Sequence, residues 1–269
     1  MRLRVDGHEA YAYTGGRAHD GAAPAVAFVH GAQHDHSVWA LQSRYLAHHG
    51  HAVLAFDLPG HGRSGGAPLP SVERLAQWLL QALDAAGVER AHLVGHSMGS
   101  LIALEAAGLA PGRAESLALV GTAFPMRVSE ALLTAARDDE PGAIGMINLW
   151  SHSGATHAPG CPGPGFSIMN QNLRLMQRQK PGTLLVDFSA CNAYAAGLER
   201  AGALGCPVLF VLGAKDQMTP PKAARALVGA VPGARVVEVA GCGHALMAER
   251  PDAVLAALRD FLPPPIRTT

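Results

Sequence analysis

A serine between two glycines is the first feature of this sequence that could do chemistry. Gly95, Ser97 and Gly99 lie in the stretch LVGHSMGS, where a short apolar run gives way to an alanine- and leucine-rich run. The pattern predicts a strand that turns sharply into a helix, and glycines leave room for such a turn. The turn would expose the serine hydroxyl beside the free amides of a helix N-terminus, which favour an oxyanion. G-x-S-x-G is the nucleophile-elbow pattern, so Ser97 is the predicted nucleophile.

A serine nucleophile needs a histidine as base and a carboxylate that orients the histidine. With the elbow pattern, these groups follow in the chain order serine, acid, histidine. Asp216 follows an apolar run in LGAKDQMTP, and His244 lies in GCGHALMAERP before a final helical segment. We therefore predict a triad of Ser97, Asp216 and His244. Two alternatives stay open: Asp57 in DLPGHGRS could be the acid, against that order, and Asp216 could cap the turn before Pro220.

The elements that would position these groups alternate along the chain. An Asp6-Gly7 turn predicts an N-terminal antiparallel hairpin, and later apolar runs separated by helical segments predict parallel strand-helix-strand units. The predicted strands are Leu3–Val5, Glu9–Tyr13, Ala25–His30, His51–Asp57, Ala91–His96, Ser116–Gly121, Cys206–Gly213 and Ala234–Ala240. The predicted helices are Ser37–His49, Ser71–Ala86, Met98–Ala110, Pro220–Ala230 and Pro251–Phe261. The fold class is therefore α/β, with a mostly parallel central sheet flanked by helices.

The alternation stops between about residues 124 and 204, where no strand is predicted. SEALLTAARDDE and FSIMNQNLRLMQRQ are typical of amphipathic helices, and SHSGATHAPGCPGPG between them is typical of a loop. We interpret this region as an inserted helical cap, residues 124–204, on a core formed by residues 1–123 and 205–269. Because the insertion follows one predicted strand and precedes the next, the cap is expected over the carboxyl end of the sheet.

The sequence resembles the α/β-hydrolase family, in particular its esterase and haloperoxidase-like branch with a helical cap. The matching pieces are FVHGAQHDHSVW, AFDLPGHGRS, LVGHSMGS, VLGAKDQMTP and AGCGHALMAERP, in the family's order. The resemblance implies that the backbone amides of Ala32 and Met98 form the oxyanion hole. It also implies a serine hydrolase, most simply a carboxylesterase, that works through an acyl-enzyme and needs neither cofactor nor metal.

The cap is expected to select the substrate. Gln33, His34, Trp150 and Met218 are the predicted substrate-binding residues. An apolar stripe could line a pocket for a small or medium uncharged acyl ester; it consists of Ile144, Met146, Ile147, Leu149, Trp150, Ile168 and Met169. The simpler alternative is that this stripe only packs the cap onto the core.

Other functions fit the same residues. The triad could perform perhydrolysis, or it could hydrolyse amide or carbon–carbon bonds, and a receptor for a small molecule could retain the scaffold without turnover. His34, Asp35 and His36 suggest a metal site, but a serine triad already accounts for the chemistry, so no metal is predicted.

Composition limits the partners. The chain has 269 residues, with 21 Lys+Arg against 21 Asp+Glu, and no basic stripe of the kind that binds nucleic acid. Four separated cysteines and an N-terminus without an apolar segment favour a cytoplasmic protein with free thiols. No apolar run is long enough for a membrane span. We expect a small-molecule substrate and either a monomer or a homodimer.

Overall fold

A twisted sheet of eight strands forms the centre of the protein, whose computed structural model describes residues 1–157 and 167–264. The strands are β1 (Arg2–Val5), β2 (His8–Tyr13), β3 (Ala25–Val29), β4 (Ala52–Asp57), β5 (Ala91–His96), β6 (Ala114–Val120), β7 (Val208–Gly213) and β8 (Arg235–Val239). Their order across the sheet is β1-β2-β4-β3-β5-β6-β7-β8. The pairs β1–β2 and β2–β4 are antiparallel, and the remaining pairs are parallel. The predicted hairpin and the mostly parallel sheet are confirmed.

Helices cover both faces of this sheet. They are α1 (Ala40–His48), α2 (Val72–Ala85), α3 (Met98–Leu109), α4 (Glu130–Asp138), α5 (Glu140–Trp150), α6 (Gly154–His157), α7 (Ile168–Gln177), α8 (Thr183–Ala193), α9 (Gly197–Gly202), α10 (Arg225–Ala230), α11 (Leu246–Glu249) and α12 (Pro251–Phe261). The expected single helix Ser37–His49 is instead a 3₁₀ turn, His36–Trp39, followed by α1. Another 3₁₀ turn, Pro221–Ala224, likewise precedes α10.

The alternation of side chains along a strand explains why both faces are covered. On β3, Ala27 and Val29 pack into a core with α2 and α3, whereas Val26 and Phe28 pack into a core with α1 and α12. All five residues of β3 are buried. A strand that is apolar at every position needs a layer on each side, as the sequence indicated for the parallel strands.

Between β6 and β7 the described residues contain helices and no strand. This segment, residues 124–204, is called the cap segment below. The predicted helices correspond to α4 and α7, whereas α5, α8 and α9 were not predicted. The stretch SHSGATHAPGCPGPG was expected to be a loop, but its first part includes α6, and residues 158–166, with Cys161, lie outside the described residues.

The cap segment has an apolar cluster of its own. Its buried members come from α4, α5, α7 and α8, and they are Leu132, Ala136, Ala143, Ile144, Ile147, Met176, Leu184 and Phe188. Two residues of core loops, Ala32 and Met218, pack against this cluster. The cap segment therefore contacts the loops that carry predicted site residues. The division into a core of residues 1–123 and 205–269 and a cap of 124–204 stays a prediction.

In the described part of the chain, no helix combines the length and apolar character needed to cross a bilayer. Cys191, Cys206 and Cys242 are free thiols, the first and last of them buried.

Candidate active site

Ser97 occupies a strained turn between β5 and α3. Its φ of 52° and ψ of −120° lie outside the regions that a serine normally adopts. Both flanking glycines are sterically required: a Cβ on Gly95 would lie 2.1 Å from the Gly99 carbonyl oxygen, and one on Gly99 would lie 2.4 Å from the Val29 oxygen. Ser97 N–H donates to the Val120 oxygen at 3.0 Å, and the side chain remains partly exposed. This is the geometry expected of a nucleophile elbow.

His244 and Asp216 meet at the carboxyl end of the sheet. His244 Nδ1 lies 2.8 Å from Asp216 Oδ2, and both side chains are buried. Burial alone would raise the pKa of Asp216, but the nearby His244 and the hydrogen bonds to Thr219 lower it below its usual value. The carboxylate therefore stays ionised and can orient the imidazole, leaving Nε2 available for proton transfer.

The two roles considered for Asp216 coexist in the structure. Its Oδ1 accepts hydrogen bonds from the backbone N–H groups of Met218 and Thr219, each at 2.8 Å, while Oδ2 faces His244. The Thr219 hydroxyl lies 2.7 Å from Oδ2 and 3.0 Å from His244 Nδ1. The sequence analysis missed Thr219; the available signal was a hydroxyl residue three positions after an aspartate, a common pattern in turns.

Asp57, the alternative acid, contacts other groups. Its Oδ1 accepts from His36 N–H at 2.7 Å and lies 2.8 Å from His36 Nδ1, while Oδ2 accepts from Arg63 N–H at 2.8 Å. The structure thus pairs His244 with Asp216 and gives Asp57 a different histidine.

The loop after β3 approaches the elbow closely. A Cβ on Gly31 would lie 3.2 Å from Ser97 Cβ, so the backbone that leads into Ala32 lies against the nucleophile. Met98 follows the nucleophile as the first residue of α3 and is fully buried. These positions suit the two backbone donors predicted for the oxyanion hole.

His96 links the elbow to the His244 loop. The ring of His96 is buried, and its Nε2 lies 2.9 Å from the His244 carbonyl oxygen, so Nε2–H donates. The two rings are 4.6 Å apart between centroids. Burial and the neighbouring His244 hold the pKa of His96 well below its usual value, so the ring is neutral at neutral pH. The sequence analysis assigned no role to His96.

A second buried carboxylate, Glu249 of α11, holds the backbone next to His244. It accepts from the N–H of Gly243 and, at 2.7 Å, from the N–H of Ser153 in the cap segment; the hydroxyls of Ser153 and Thr156 also donate to it. Although burial opposes ionisation, these donors lower the pKa of Glu249. The sequence analysis missed this residue, because its cap partners Ser153 and Thr156 are 96 and 93 positions away in the chain.

The residues once considered as metal ligands bind other protein groups. Among the described residues, Asp35, His36 and Asp57 bring possible ligand atoms within 4.8 Å of one another. However, Asp35 already accepts from Ser37 and from Arg178, and these hydrogen bonds lower its pKa against the effect of burial. The oxygens of this group are thus used within the protein. His34 lies outside the group; its ring nitrogens contact the Ala32 oxygen at 2.6 Å and Asn172 Oδ1 at 2.8 Å.

A cleft of about 970 Å³ opens onto His244, between α7 and the loop and helices that follow β3. Its described lining mixes apolar side chains with amides, hydroxyls and two arginines. The lining includes His34, Ser37, Val38, Leu41, His96, Ser151, Ile168, Asn170, Gln171, Asn172, Arg174, Leu175, Arg178, His244 and Met247. Arg178 is paired with Asp35, whereas Arg174 is exposed at the cleft and donates to Gln177. The cap helix α7 therefore brings cationic groups that the sequence analysis had not placed near the site.

Of the four predicted substrate-binding residues, only His34 lies on the described cleft wall. Gln33 is buried, and its side-chain amide donates to the Met176 oxygen at 3.2 Å. Trp150 and Met218 pack against the apolar cluster of the cap segment. Within the predicted apolar stripe, Ile144 and Ile147 belong to that cluster and Ile168 lines the cleft. Substrate contacts by Gln33, Trp150 and Met218 remain predictions.

The comparison with known proteins agrees with this fold. Residues 26–257 match the alpha/beta hydrolase family, and the chain belongs to it. The protein is therefore a hydrolase, as its relatives are.

Three similar proteins indicate the range of activities. A Klebsiella pneumoniae protein named as a candidate carbamate hydrolase, RutD, is 32% identical and spans 78% of this chain and 80% of its own. A pimeloyl-[acyl-carrier protein] methyl ester esterase of Neisseria meningitidis is 30% identical over 77% of this chain and 82% of its own. The crystal structure of an enol-lactonase from Burkholderia xenovorans LB400 superposes with a TM-score of 0.85 at 26% identity, covering 97% of this chain and 99% of that one.

Proposed function

We propose that this hydrolase cleaves a small or medium uncharged carboxylic ester through an acyl-enzyme on Ser97. The observation that carries the proposal is the pairing of His244 Nδ1 with Asp216 Oδ2 at 2.8 Å, together with a serine held at a φ of 52°. The residue before that serine, His96, has its ring 4.6 Å from the His244 ring. An ionised acid on Nδ1 fixes the imidazole tautomer that can accept a proton at Nε2. Two of the similar proteins named above, the methyl ester esterase and the enol-lactonase, have ester bonds as substrates.

The reaction follows from this arrangement. Ser97 Oγ attacks the ester carbonyl while His244 Nε2 takes its proton, and the amides of Ala32 and Met98 stabilise the tetrahedral oxyanion. His244 then gives the proton to the leaving alcohol, and the acyl-enzyme forms. Water attacks that intermediate with His244 as base, which releases the acid and restores Ser97. Asp216 stabilises the imidazolium form of His244 in both steps.

The cleft supports an acyl group of medium length. Its volume of about 970 Å³ exceeds what an acetyl ester fills, and its wall carries Val38, Leu175 and Met247. Arg178 is neutralised by Asp35, so Arg174 is the cleft residue that could favour an anionic substituent.

A panel of p-nitrophenyl esters from acetyl to dodecanoyl, with a lactone, a carbamate and a dicarboxylate monoester, tests the proposal. We expect turnover of short and medium esters, one fluorophosphonate label per chain in wild type, and neither turnover nor label in Ser97→Ala. Labelling that persists in Ser97→Ala would refute the assigned nucleophile. Faster turnover of the carbamate than of every ester would replace ester hydrolysis with carbamate hydrolysis, and a single slow turnover would favour a receptor.

A further inference from the structure

A buried carboxylate of the cap segment faces the loop that carries Ala32. Asp187 of α8 is 1% exposed, and its Oδ2 accepts a hydrogen bond from Gln33 N–H at 2.8 Å. The Gln33 N–H belongs to the peptide group directly after Ala32. A cap residue that is 154 positions away in the chain therefore holds the peptide next to the proposed oxyanion donor.

That peptide needs to be held. Gln33 has a φ of 57°, in the left-handed region that favours glycine. Such a conformation persists in another residue only when its surroundings fix it. The two contacts described for Gln33 both come from the cap segment: the Asp187 carboxylate binds its backbone, and the Met176 carbonyl accepts from its side chain.

A histidine of the core holds Asp187 in turn. His61 Nε2 lies 2.9 Å from Asp187 Oδ2, and His61 Nδ1 lies 3.0 Å from the Pro59 carbonyl oxygen. Both neighbours are acceptors, so both ring nitrogens carry hydrogen and the ring is an imidazolium. Burial, the largest single influence, opposes this charge, but Asp187, the Pro59 carbonyl oxygen and Asp57 together raise the pKa of His61. The pair is thus a buried ion pair between α8 and the loop after β4.

We propose that Asp187, held by His61, is a positioning residue that preorganises the oxyanion hole. Asp187 fixes the backbone after Ala32, so that the Ala32 amide stays directed at the site where negative charge develops on the tetrahedral intermediate. Preorganised donors act mainly on the transition state, so their loss lowers kcat more than it changes KM. This role rests on the proposed function, because it requires an oxyanion at Ser97.

The test compares Asp187→Asn with a matched control on the same helix, Asn192→Ala. Asn192 accepts from Val128 N–H inside the cap segment and makes no described contact with the Gln33 loop. Loss of a whole oxyanion donor typically lowers kcat about 10²- to 10³-fold. For a donor that is misaligned and still present, we expect Asp187→Asn to lower kcat about 10- to 100-fold with KM within about threefold. The inhibition constant of a trifluoromethyl ketone, which mimics the tetrahedral intermediate, should rise in parallel with that loss.

A readout independent of activity completes the test. Hydrogen exchange at the Gln33 amide should become faster in Asp187→Asn and stay unchanged in Asn192→Ala, with similar unfolding temperatures. If Asp187→Asn does not fold, His61→Gln keeps the carboxylate and should give the same effects at smaller size. In an active wild type, unchanged kcat and unchanged Gln33 exchange in the folded variant would overturn the inference alone. A wild type without ester turnover or fluorophosphonate labelling would overturn the proposed function and the catalytic role of Asp187 with it.

Discussion

The two sides of the site are supported by different parts of the molecule. On one side, the core holds His244: Asp216 and Thr219 contact its ring, His96 binds its carbonyl oxygen, and Glu249 binds the N–H just before it. On the other side, the loop through Gln33 depends on the cap segment, through Asp187 and the Met176 carbonyl.

This difference separates two tasks. Groups that transfer protons stand on loops at the ends of strands, whose positions the sheet fixes. The proposed oxyanion loop depends on contacts with inserted helices, which also form one wall of the cleft. A change in α7 or α8 could therefore alter substrate selection and oxyanion stabilisation together. The His244 loop contacts a different part of the cap segment, through Ser151 and through Ser153 by way of Glu249.

Removing the nucleophile should have the largest effect. Loss of the serine of a comparable triad lowers kcat by about 10⁶-fold. Ser97→Ala should lose activity on this scale and keep its unfolding temperature, since the hydroxyl is partly exposed. Activity near the wild-type level in Ser97→Ala would show that another residue is the nucleophile.

Removing the orienting acid tests the core side. Asp216→Asn should lower kcat about 10⁴-fold, because the asparagine no longer stabilises the required imidazole tautomer. The matched control is Asp57→Asn, whose carboxylate serves His36 and the Arg63 amide instead. A larger loss in a folded Asp57→Asn than in Asp216→Asn would reverse the assignment.

A pH prediction concerns His30, at the start of the oxyanion loop. Leu58 N–H donates to its Nε2 at 3.0 Å, and burial, with the charge of His61 as a second cause, lowers its pKa to about 4. The unfolded chain, with a histidine pKa of about 6.5, binds more protons between these values, so stability falls as the pH drops from about 6.5 to 4. The pKa difference corresponds to about 3 kcal/mol at most.

The check is the pH dependence of urea unfolding in wild type and His30→Gln, which keeps an acceptor for Leu58. The variant should show a weaker loss of stability between pH 6.5 and 4. Part of the loss should remain, because burial also lowers the pKa values of His34, His51 and His92. Identical slopes for both proteins would show that His30 does not resist protonation.

Glu249 tests how firmly the core side is tied to the cap segment. Each carboxylate oxygen of Glu249 accepts one backbone N–H, so Glu249→Gln makes an amide NH₂ face one of these two donors. An unsatisfied buried group costs about 1–3 kcal/mol. We expect the free energy of unfolding to fall by about 2 kcal/mol at pH 7. The lowered pKa of Glu249 gives stability that is present above about pH 4.5 and lost as the pH falls. As the pH falls, Glu249→Gln should therefore lose less free energy of unfolding than the wild type. The same pH dependence of unfolding in both proteins would contradict this.

Substitutions near the cleft wall should have the smallest effects on activity. Each CH₂ of an acyl chain buried against apolar side chains contributes about 0.8 kcal/mol, or about fourfold in kcat/KM. Leu175→Ala should weaken this dependence on chain length, because Leu175 lines the cleft. Trp150→Ala should lower the unfolding temperature and leave the chain-length preference, because Trp150 packs on the cap cluster. If Trp150→Ala instead changed the chain-length preference and kept the unfolding temperature, Trp150 would belong to the substrate site.

The sequence alone determined the elements of the core and the residues proposed as the triad. The nucleophile elbow is a local pattern, since Gly95 and Gly99 are within two positions of Ser97. The chain order serine, acid, histidine favoured Asp216 over Asp57, which precedes the serine. Strands that are buried on both faces are continuous apolar runs in the sequence, so the parallel sheet could be predicted.

Only the tertiary structure decided the partners of the buried polar groups. It paired His244 with Asp216, let Asp216 also cap its own turn, and brought Asp187 to Gln33 across 154 positions. It also turned most of the predicted apolar stripe towards the cap cluster and brought Arg174 of α7 to the cleft. The reason is physical: a buried carboxylate must find donors wherever the fold brings them, and periodicity along the chain carries no record of contacts between distant segments.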